Sequence, residues 1–592
     1  MASVQHIIRD TVLQIIHQLY NLPIEANELQ IQATKPEFEG DYTLVLFPLI
    51  KKTGKQPNQL ADEIGNVLLK EKPDLFSAYN LIKGFLNLTI SDSYWLTVLN
   101  NSYNNLQYGT ERTKGERVMI EYSSPNTNKP LHLGHLRNNF LGWSVAEIYK
   151  ACGYDVVKTC IVNDRGIHIC KSMIAWQLYA KGATPESAGI KGDHFVGDYY
   201  VKFNDAYKTE VETLVAAGMT KEQAEKEAPI MKAAQQMLLD WEHGKAEILD
   251  LWKRMNEWVY QGFDITYKRI GSDFHKTYYE SNTYILGKKT VEEGLKTNVF
   301  YQKEEGSVWI DLTADGLDEK IVQRKDGTSV YITQDIGLAQ LRYQEFKANT
   351  NIYVIGDEQN YHMKVLQLIC KRLGLSYADG IHHLSYGMVE LPTGKMKSRE
   401  GTVVDADDLL DEMERVAAQK TEELGKVDDF SEEERSKLYG MLSLGALKYF
   451  LLRVGPQKKM IFNPEESIDF HGHTGPFIQY THARIKSILR KEHIDTGKEI
   501  SDSLLPLEKE LLVALENYPL AVQQSCLEQD PSHLANYLYN VAKVYNSFYS
   551  QHSVLHAESE NKKLLRLQLC SFTALVISNG MNLLGIEVPE RM

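Results

Sequence analysis

The feature that most restricts the fold is a change of hydrophobic period between residues 118 and 162. A short apolar run, Val118 to Tyr122, gives way to a loop, Ser123 to Pro130. A helical pattern follows, Leu133 to Ala151, stopped near Gly153, and then a second apolar run, Asp155 to Val162. Strand, helix, strand in that order is a βαβ unit, whose right-handed crossover makes the two strands parallel neighbours. A second unit follows: Ile352 to Ile355, a loop Gly356 to Asn360, a helix to about Leu373 closed by Gly374, and a strand near Ile381 to Leu384. Two such units predict the α/β class, with a Rossmann-like parallel sheet at the centre.

The remaining segments arrange themselves around that sheet. About 180 residues separate the two units, too many for a crossover, and the stretch at about 180–300 is expected to hold inserted subdomains, including a Lys- and Glu-rich helical run from Lys221 to Lys253. Upstream, Ile7, Ile8, Val12, Ile15, Ile16 and Leu19 share one helical face, and Tyr42 to Leu49 and Ala78 to Ile90 have strand patterns. That predicts an N-terminal α/β domain over 1–112, closed by the polar, turn-rich Asn100 to Lys114. The sheet-bearing domain then spans 113–460. From 461 to 592 strand signals nearly vanish and helical patterns such as Phe477 to Leu489, Leu534 to Tyr549 and Lys562 to Leu584 predict an α-helical bundle.

At 592 residues, 43% of them hydrophobic, the chain has material for several cores. Six cysteines (152, 160, 170, 370, 526 and 570) include no Cys-x-x-Cys pair, which argues against a zinc ribbon and for a reducing, cytoplasmic setting. Arg9 and Asp10 interrupt the first apolar pattern, so it is no secretory signal, and no later run is expected to span a membrane. The formal charge of −14 requires that any nucleic acid meet a local basic face.

In an open parallel sheet, ligands gather beyond the carboxyl ends of the strands, and His132-Leu133-Gly134-His135 lies there, at the start of the first crossover helix. Helix N-termini offer amide donors and a positive dipole end, Gly134 clears the approach, and two imidazoles three residues apart can donate to phosphate oxygens. Fixed donors of this kind stabilise the charge that develops when a carboxylate attacks an α-phosphorus and pyrophosphate leaves. Four residues of this type also fit two zinc ligands or a surface turn. A cationic loop flanked by glycines, Gly394-Lys395-Met396-Lys397-Ser398-Arg399-Glu400-Gly401, precedes a helix capped by Asp405; alone it fits a solvated turn as well as a phosphate lid.

Together, in this order, the two segments resemble the His-Ile-Gly-His and Lys-Met-Ser-Lys-Ser signatures of class I aminoacyl-tRNA synthetases. The wider stretch from Glu121 to Arg137 resembles the arginyl-tRNA synthetase family, as do Asn163-Asp164-Arg165-Gly166, Gly192-Asp193-His194, Tyr331 to Asp335 and the C-terminal Leu584 to Met592. The resemblance spans essentially the whole chain. It implies an enzyme that uses ATP, with Mg2+ accompanying it, to convert arginine to arginyl-adenylate, then transfers the arginyl group to tRNA(Arg). A synthetase for another amino acid, a tRNA-independent nucleotidyltransferase and a non-enzymatic RNA-binding relative are the competing readings. The chain is expected to act as a monomer without a membrane or a structural metal.

The resemblance also assigns residues. His132, His135 and Lys395 are expected to act in catalysis, and Gly134, Met396, Lys397 and Ser398 to bind ATP. Ser398 stands where the family signature carries its second lysine, and members lacking that lysine typically carry one at the position of Lys129; Lys397 is the alternative substitute. A guanidinium needs paired acceptors, for which Glu121 and Asp335 are the matched carboxylates. Tyr331 would wall the substrate, with Ser123, Asn126 and Gln359 at its amino and carboxylate ends. Taken singly, Asp335 also fits a helix cap and Tyr331 a core residue. In the C-terminal bundle, which resembles the family's anticodon-binding domain, Tyr480, Tyr537, Asn546, Phe548, Tyr549 and Met592 are the candidate tRNA contacts. The N-terminal domain, with Gly40-Asp41-Tyr42, Lys51, Lys52 and Lys55, resembles the family's additional tRNA-contacting domain.

Overall fold

The computed structural model describes residues 3–592 apart from Pro36, 391–403, Leu424, Lys426, Asp428, His493, 495–499 and Ser501. The N-terminal unit begins with the helix Val4–Tyr20, capped by the Ser3 hydroxyl, which accepts from the His6 amide. It packs with an antiparallel sheet of β1 (Ile31–Ala33), β2 (Tyr42–Val45), β3 (Phe76–Ile82) and β4 (Phe85–Ile90), in spatial order β1-β2-β4-β3. Two expectations change here. The strand expected over Tyr42 to Leu49 ends at Val45, because Pro48 opens the short helix Phe47–Thr53, which Gly54 closes at φ +67. The run Ala78 to Ile90 is a hairpin of two strands: Lys83 and Gly84 both have positive φ, the conformation that a two-residue turn demands.

The central sheet has five strands: β5 (Arg117–Glu121), β6 (Asp155–Val162), β7 (Lys276–Tyr279), β11 (Thr350–Gly356) and β12 (Ile381–Tyr386). All pair in parallel, in the order β12-β11-β5-β6-β7. The winding reverses between β5 and β11, so the crevice beyond Glu121 and Gly356 is the sheet's natural ligand site. The stretch at about 180–300, expected to hold inserted subdomains, also contributes to the main sheet. Its Lys276–Tyr279 is the edge strand of the main sheet. Helices, among them Gly192–Ala216 and Ala246–Ile270, fill the connection before it, and a small antiparallel sheet of β8 (Tyr301–Gln302), β9 (Val308–Ile310) and β10 (Lys320–Gln323) lies in the connection after it.

The C-terminal region is helical: Gly475–Leu489, Pro506–Glu516, Tyr518–Glu528, Ser532–Gln551 and Glu560–Leu583. Glu560–Leu583 is, among the described residues, a helix long and apolar enough to cross a membrane, contrary to the expectation that no such run exists. Most of it is buried in the bundle, and its Lys562 and Arg566 reach the enclosed carboxylate of Glu508 at 2.7 and 2.9 Å. The crossover helix Leu133–Ala151 packs along both Tyr518–Glu528 and Glu560–Leu583, where the Ser144 hydroxyl donates to the Leu583 carbonyl at 2.9 Å. One helix thus runs from the ligand crevice to the C-terminal bundle.

Candidate active site

Glu121 closes β5, the chain turns sharply, and the helix Leu133–Ala151 begins. The turn uses left-handed backbone at two non-glycine residues, Ser123 (φ +78) and Ser124 (φ +47), a strained geometry that persists where surrounding contacts enforce it. Here the Ser123 amide donates to Asn138 Oδ1 at 2.5 Å, and its hydroxyl contacts the Tyr267 hydroxyl at 2.6 Å.

His132 is the N-cap of the helix. Its Nδ1 accepts from the Gly134 amide at 3.1 Å, while His135 Nδ1 accepts from the His132 amide at 3.1 Å. Because both Nδ1 atoms accept, each neutral ring carries its proton on Nε2. The rings lie against one another, centroids 3.9 Å apart. Burial, with Lys129 alongside, lowers the His132 pKa to about 3, and burial, His132 and Lys129 push His135 well below the usual imidazole value. Gly134 has a further reason to lack a side chain: a Cβ there would sit 3.0 Å from the His132 ring.

Lys129 is half-buried, and burial lowers its pKa. It has no ion pair among the described residues. A desolvated cation beside two neutral N–H donors at a helix N-terminus is an arrangement suited to an anion. The segment that follows the second signature, Val404 to Ala406, lies against the start of this helix. Leu133 N donates to Val404 O at 3.2 Å and Ala406 N to Leu131 O at 2.9 Å, and Asp405, which receives the amides of Asp407 and Asp408, caps the helix Ala406–Glu423. Lys395, Met396, Lys397 and Ser398 themselves fall outside the described residues.

A cavity of about 400 Å³ opens at the reversal of the sheet, beyond the end of the strand that leads to the helix Leu133–Ala151. Glu121, Tyr331, Asp335 and Gln359 line it together, with Asn163, Arg342 and His362. Neither simple alternative fits: Tyr331 is 73% exposed, and Asp335 lies inside the helix Tyr331–Phe346, whose N-cap is Val330. Asp335 Oδ2 is 2.6 Å from His362 Nε2, a contact that raises the His362 pKa. The two carboxylates differ in their surroundings. Glu121 is fully enclosed and ion-paired with the buried Arg342; burial raises its pKa against the pull of that guanidinium. No sequence pattern singles out Arg342 or His362, although Arg342 stands two helical turns beyond Asp335. Ser123 and Asn126 do not line the cavity. The Ser123 hydroxyl is engaged behind the turn, and Asn126 is an exposed residue whose backbone pairs with Asn163.

The bundle carries its own pocket of about 300 Å³, lined by Tyr480, Arg484, Ser487, Lys491, Tyr549 and Met592 among others. The Arg484 guanidinium lies 4.7 Å from the Tyr480 ring centre and 5.6 Å from that of Tyr549, and Nη1 donates to Asn546 Oδ1 at 2.5 Å. Asn546 therefore supports the pocket from behind. Two aromatic candidates are corrected. Phe548 is 0% exposed and belongs to the bundle core, and Tyr537 turns its hydroxyl inward to the Ala514 carbonyl at 2.7 Å. On the N-terminal domain, Lys52 and Lys55 are paired with Glu28 and Glu63, and Asp41 with Lys509 of the bundle, so the expected basic patch is largely neutralised.

Three family models match successive stretches of the chain. The family model for the tRNA synthetases class I (R) catalytic domain matches residues 97–463, the arginyl tRNA synthetase N-terminal domain matches 5–90, and the DALR anticodon binding domain matches 478–592. The arginine–tRNA ligase of Flavobacterium psychrophilum is 52% identical over 100% of both chains, and that of Bacteroides fragilis 52% identical over 98% of each. Thermus thermophilus arginyl-tRNA synthetase, at 23% identity, shares the fold over 99% of this chain and 100% of its own with a TM-score of 0.79. With half of all positions identical along its whole length, the chain belongs to the arginyl-tRNA synthetases, class I aminoacyl-tRNA synthetases of the arginine kind.

Proposed function

We propose that the two neighbouring sites carry out the two steps of an arginine–tRNA ligase. The arginine carboxylate attacks the α-phosphorus of ATP; a carboxyl O–P bond forms, the α–β bridge breaks and pyrophosphate leaves. A hydroxyl of the terminal ribose of tRNA(Arg) then attacks the arginyl carbonyl, and AMP departs. The observation that carries this reading is that a cavity lined by Glu121 and Asp335 and the helix end that bears His132 and His135 both lie beyond the carboxyl end of the same strand, which Glu121 closes. Asp335 is the acceptor for the substrate guanidinium, Tyr331 covers its stem from the open side, and Gln359 faces its amino-acid end, with Ser123 positioning the turn. His132 and His135 donate through Nε2 to the phosphate charge as it develops. Mg2+ travels with the triphosphate, which suits an ion that keeps most of its waters. A monomer in the cytoplasm completes the reading.

Arginine-dependent exchange of pyrophosphate into ATP tests it. Exchange should need arginine, ignore lysine and, as is common in this family, rise on addition of tRNA(Arg); equal exchange with other amino acids would overturn the specificity. The same assay decides which lysine replaces the missing one. Lys129→Gln is expected to lower the exchange rate about 100-fold, the usual loss for one transition-state charge contact. A normal rate would assign the role to Lys397.

The bundle pocket is the anticodon-reading site in this proposal. Tyr480 and Tyr549 offer stacking faces, Arg484 fixes them, and Met592 closes the rim. Tyr549→Ala should raise the KM for tRNA(Arg) by about tenfold, in line with roughly 1–3 kcal/mol per stacked base, and leave the KM for ATP unchanged. A normal tRNA KM in aminoacylation would take Tyr549 out of the site.

A further inference from the structure

Six cysteines are buried, and two of them meet across a domain boundary. Cys152 caps the C-terminal end of the helix Leu133–Ala151, whose other end is His132. Cys526 lies on Tyr518–Glu528 in the bundle. Cys152 Sγ is 3.9 Å from the carbonyl of Val522, one turn before Cys526 on the same helix, and each thiol shifts the other's ionisation. Gln529 and Tyr149, joined by a 3.3 Å hydrogen bond, frame the contact from the same two helices.

We propose that Cys152 and Cys526 are an oxidisable dithiol that closes, in the presence of hydrogen peroxide, into a disulfide joining the catalytic domain to the anticodon-binding bundle. The thiols are unequal in the way the reaction needs. The neighbouring Cys526 and Lys114 lower the Cys152 pKa against the opposing effect of burial, whereas Cys526 is raised. The other four cysteines are all raised by burial, to about 12. Cys152 is therefore the favoured thiolate, and thiolates are the reactive form. The buried pair lies near a solvent-open cavity. A cavity of about 790 Å³, lined by Glu111, Arg112, Pro519 and Gln523, opens beside the segment whose Glu111 and Lys114 amides bond Ala151 and Gly153, on either side of Cys152.

The step balances. The Cys152 thiolate attacks one peroxide oxygen, the O–O bond breaks, and the departing hydroxide takes a proton to become water, leaving a sulfenic acid. Cys526 loses its proton and attacks that sulfur; the S–S bond forms, the S–O bond breaks, and a second water leaves. Two sulfurs are oxidised and one peroxide is reduced. Because the linked helix begins at His132, the disulfide fixes the catalytic helix to the tRNA-reading bundle and lowers charging, a consequence that rests on the ligase reading above.

The test uses the full-length protein treated with peroxide, then alkylated and mapped by non-reducing peptide mass analysis. A peptide pair containing Cys152 and Cys526, lighter by two hydrogens, is expected. Aminoacylation should fall severalfold and return with dithiothreitol. Cys526→Ala, or Cys526→Ser if the first variant melts early, should keep its activity under peroxide and carry a Cys152 sulfenic acid that dimedone traps. Two freely alkylated thiols in folded, peroxide-treated protein would overturn the dithiol. A linked pair with unchanged charging would overturn its coupling to the enzyme, whatever the fate of the arginine assignment.

Discussion

Asp335→Asn should raise the arginine concentration needed for half-maximal exchange by about 10- to 150-fold, the equivalent of roughly 1.5–3 kcal/mol for a hydrogen bond to a charged partner. The expectation follows from the division of labour between the two carboxylates. Glu121 is already committed to Arg342 inside the protein, whereas Asp335 faces the cavity with only His362 as a partner among the described residues. An asparagine keeps an oxygen that His362 can still donate to, so the fold should hold and the melting temperature should barely move. What disappears is the negative charge opposite the substrate. Steady-state exchange kinetics with arginine varied checks this, and a near-normal kcat/KM for arginine in the folded variant removes Asp335 from the site.

His132→Ala is expected to slow adenylate formation by about 100- to 1000-fold, the loss seen on deleting one donor aimed at developing charge, and to leave arginine affinity near normal. The alanine also removes a helix cap, which costs about 1 kcal/mol of stability. His132→Asn separates the two effects. It restores an acceptor for the Gly134 amide but does not reproduce the outward Nε2 donor, so it should recover the stability and not the rate. Pre-steady-state adenylate formation alongside thermal melting checks both, and an unchanged rate in either variant contradicts the proposed role of His132.

Much of this architecture is readable before folding because it is local. The helix Leu133–Ala151 and the strand Asp155–Val162 have the ends that their capping residue, Gly153 and apolar period indicate. The parallel order follows from the βαβ rule. Other features depend on partners distant in the chain. Nothing near Glu121 announces that its carboxylate will meet Arg342, and Lys276–Tyr279 is too short a run to declare itself part of the main sheet. Phe548 and Tyr549 are adjacent aromatics on one helix, and only packing shows that the first faces the core while the second lines the pocket. Glu560–Leu583 looks long and apolar enough for a membrane until Glu508 is seen against its Lys562 and Arg566. The paired lysines of the N-terminal domain teach the same lesson: charge in sequence is not free charge in space.

The reciprocal cap formed by His132 and His135 has a kinetic meaning as well. Each ring is held at Nδ1 by a backbone amide, so neither rotates freely before the nucleotide arrives. Ordering a free side chain on binding typically costs about 0.5–1.5 kcal/mol, and here folding has done that work in advance. The helix end behaves as a rigid template whose two donors keep a fixed spacing, so in the role proposed for it the capture of ATP requires encounter rather than rearrangement.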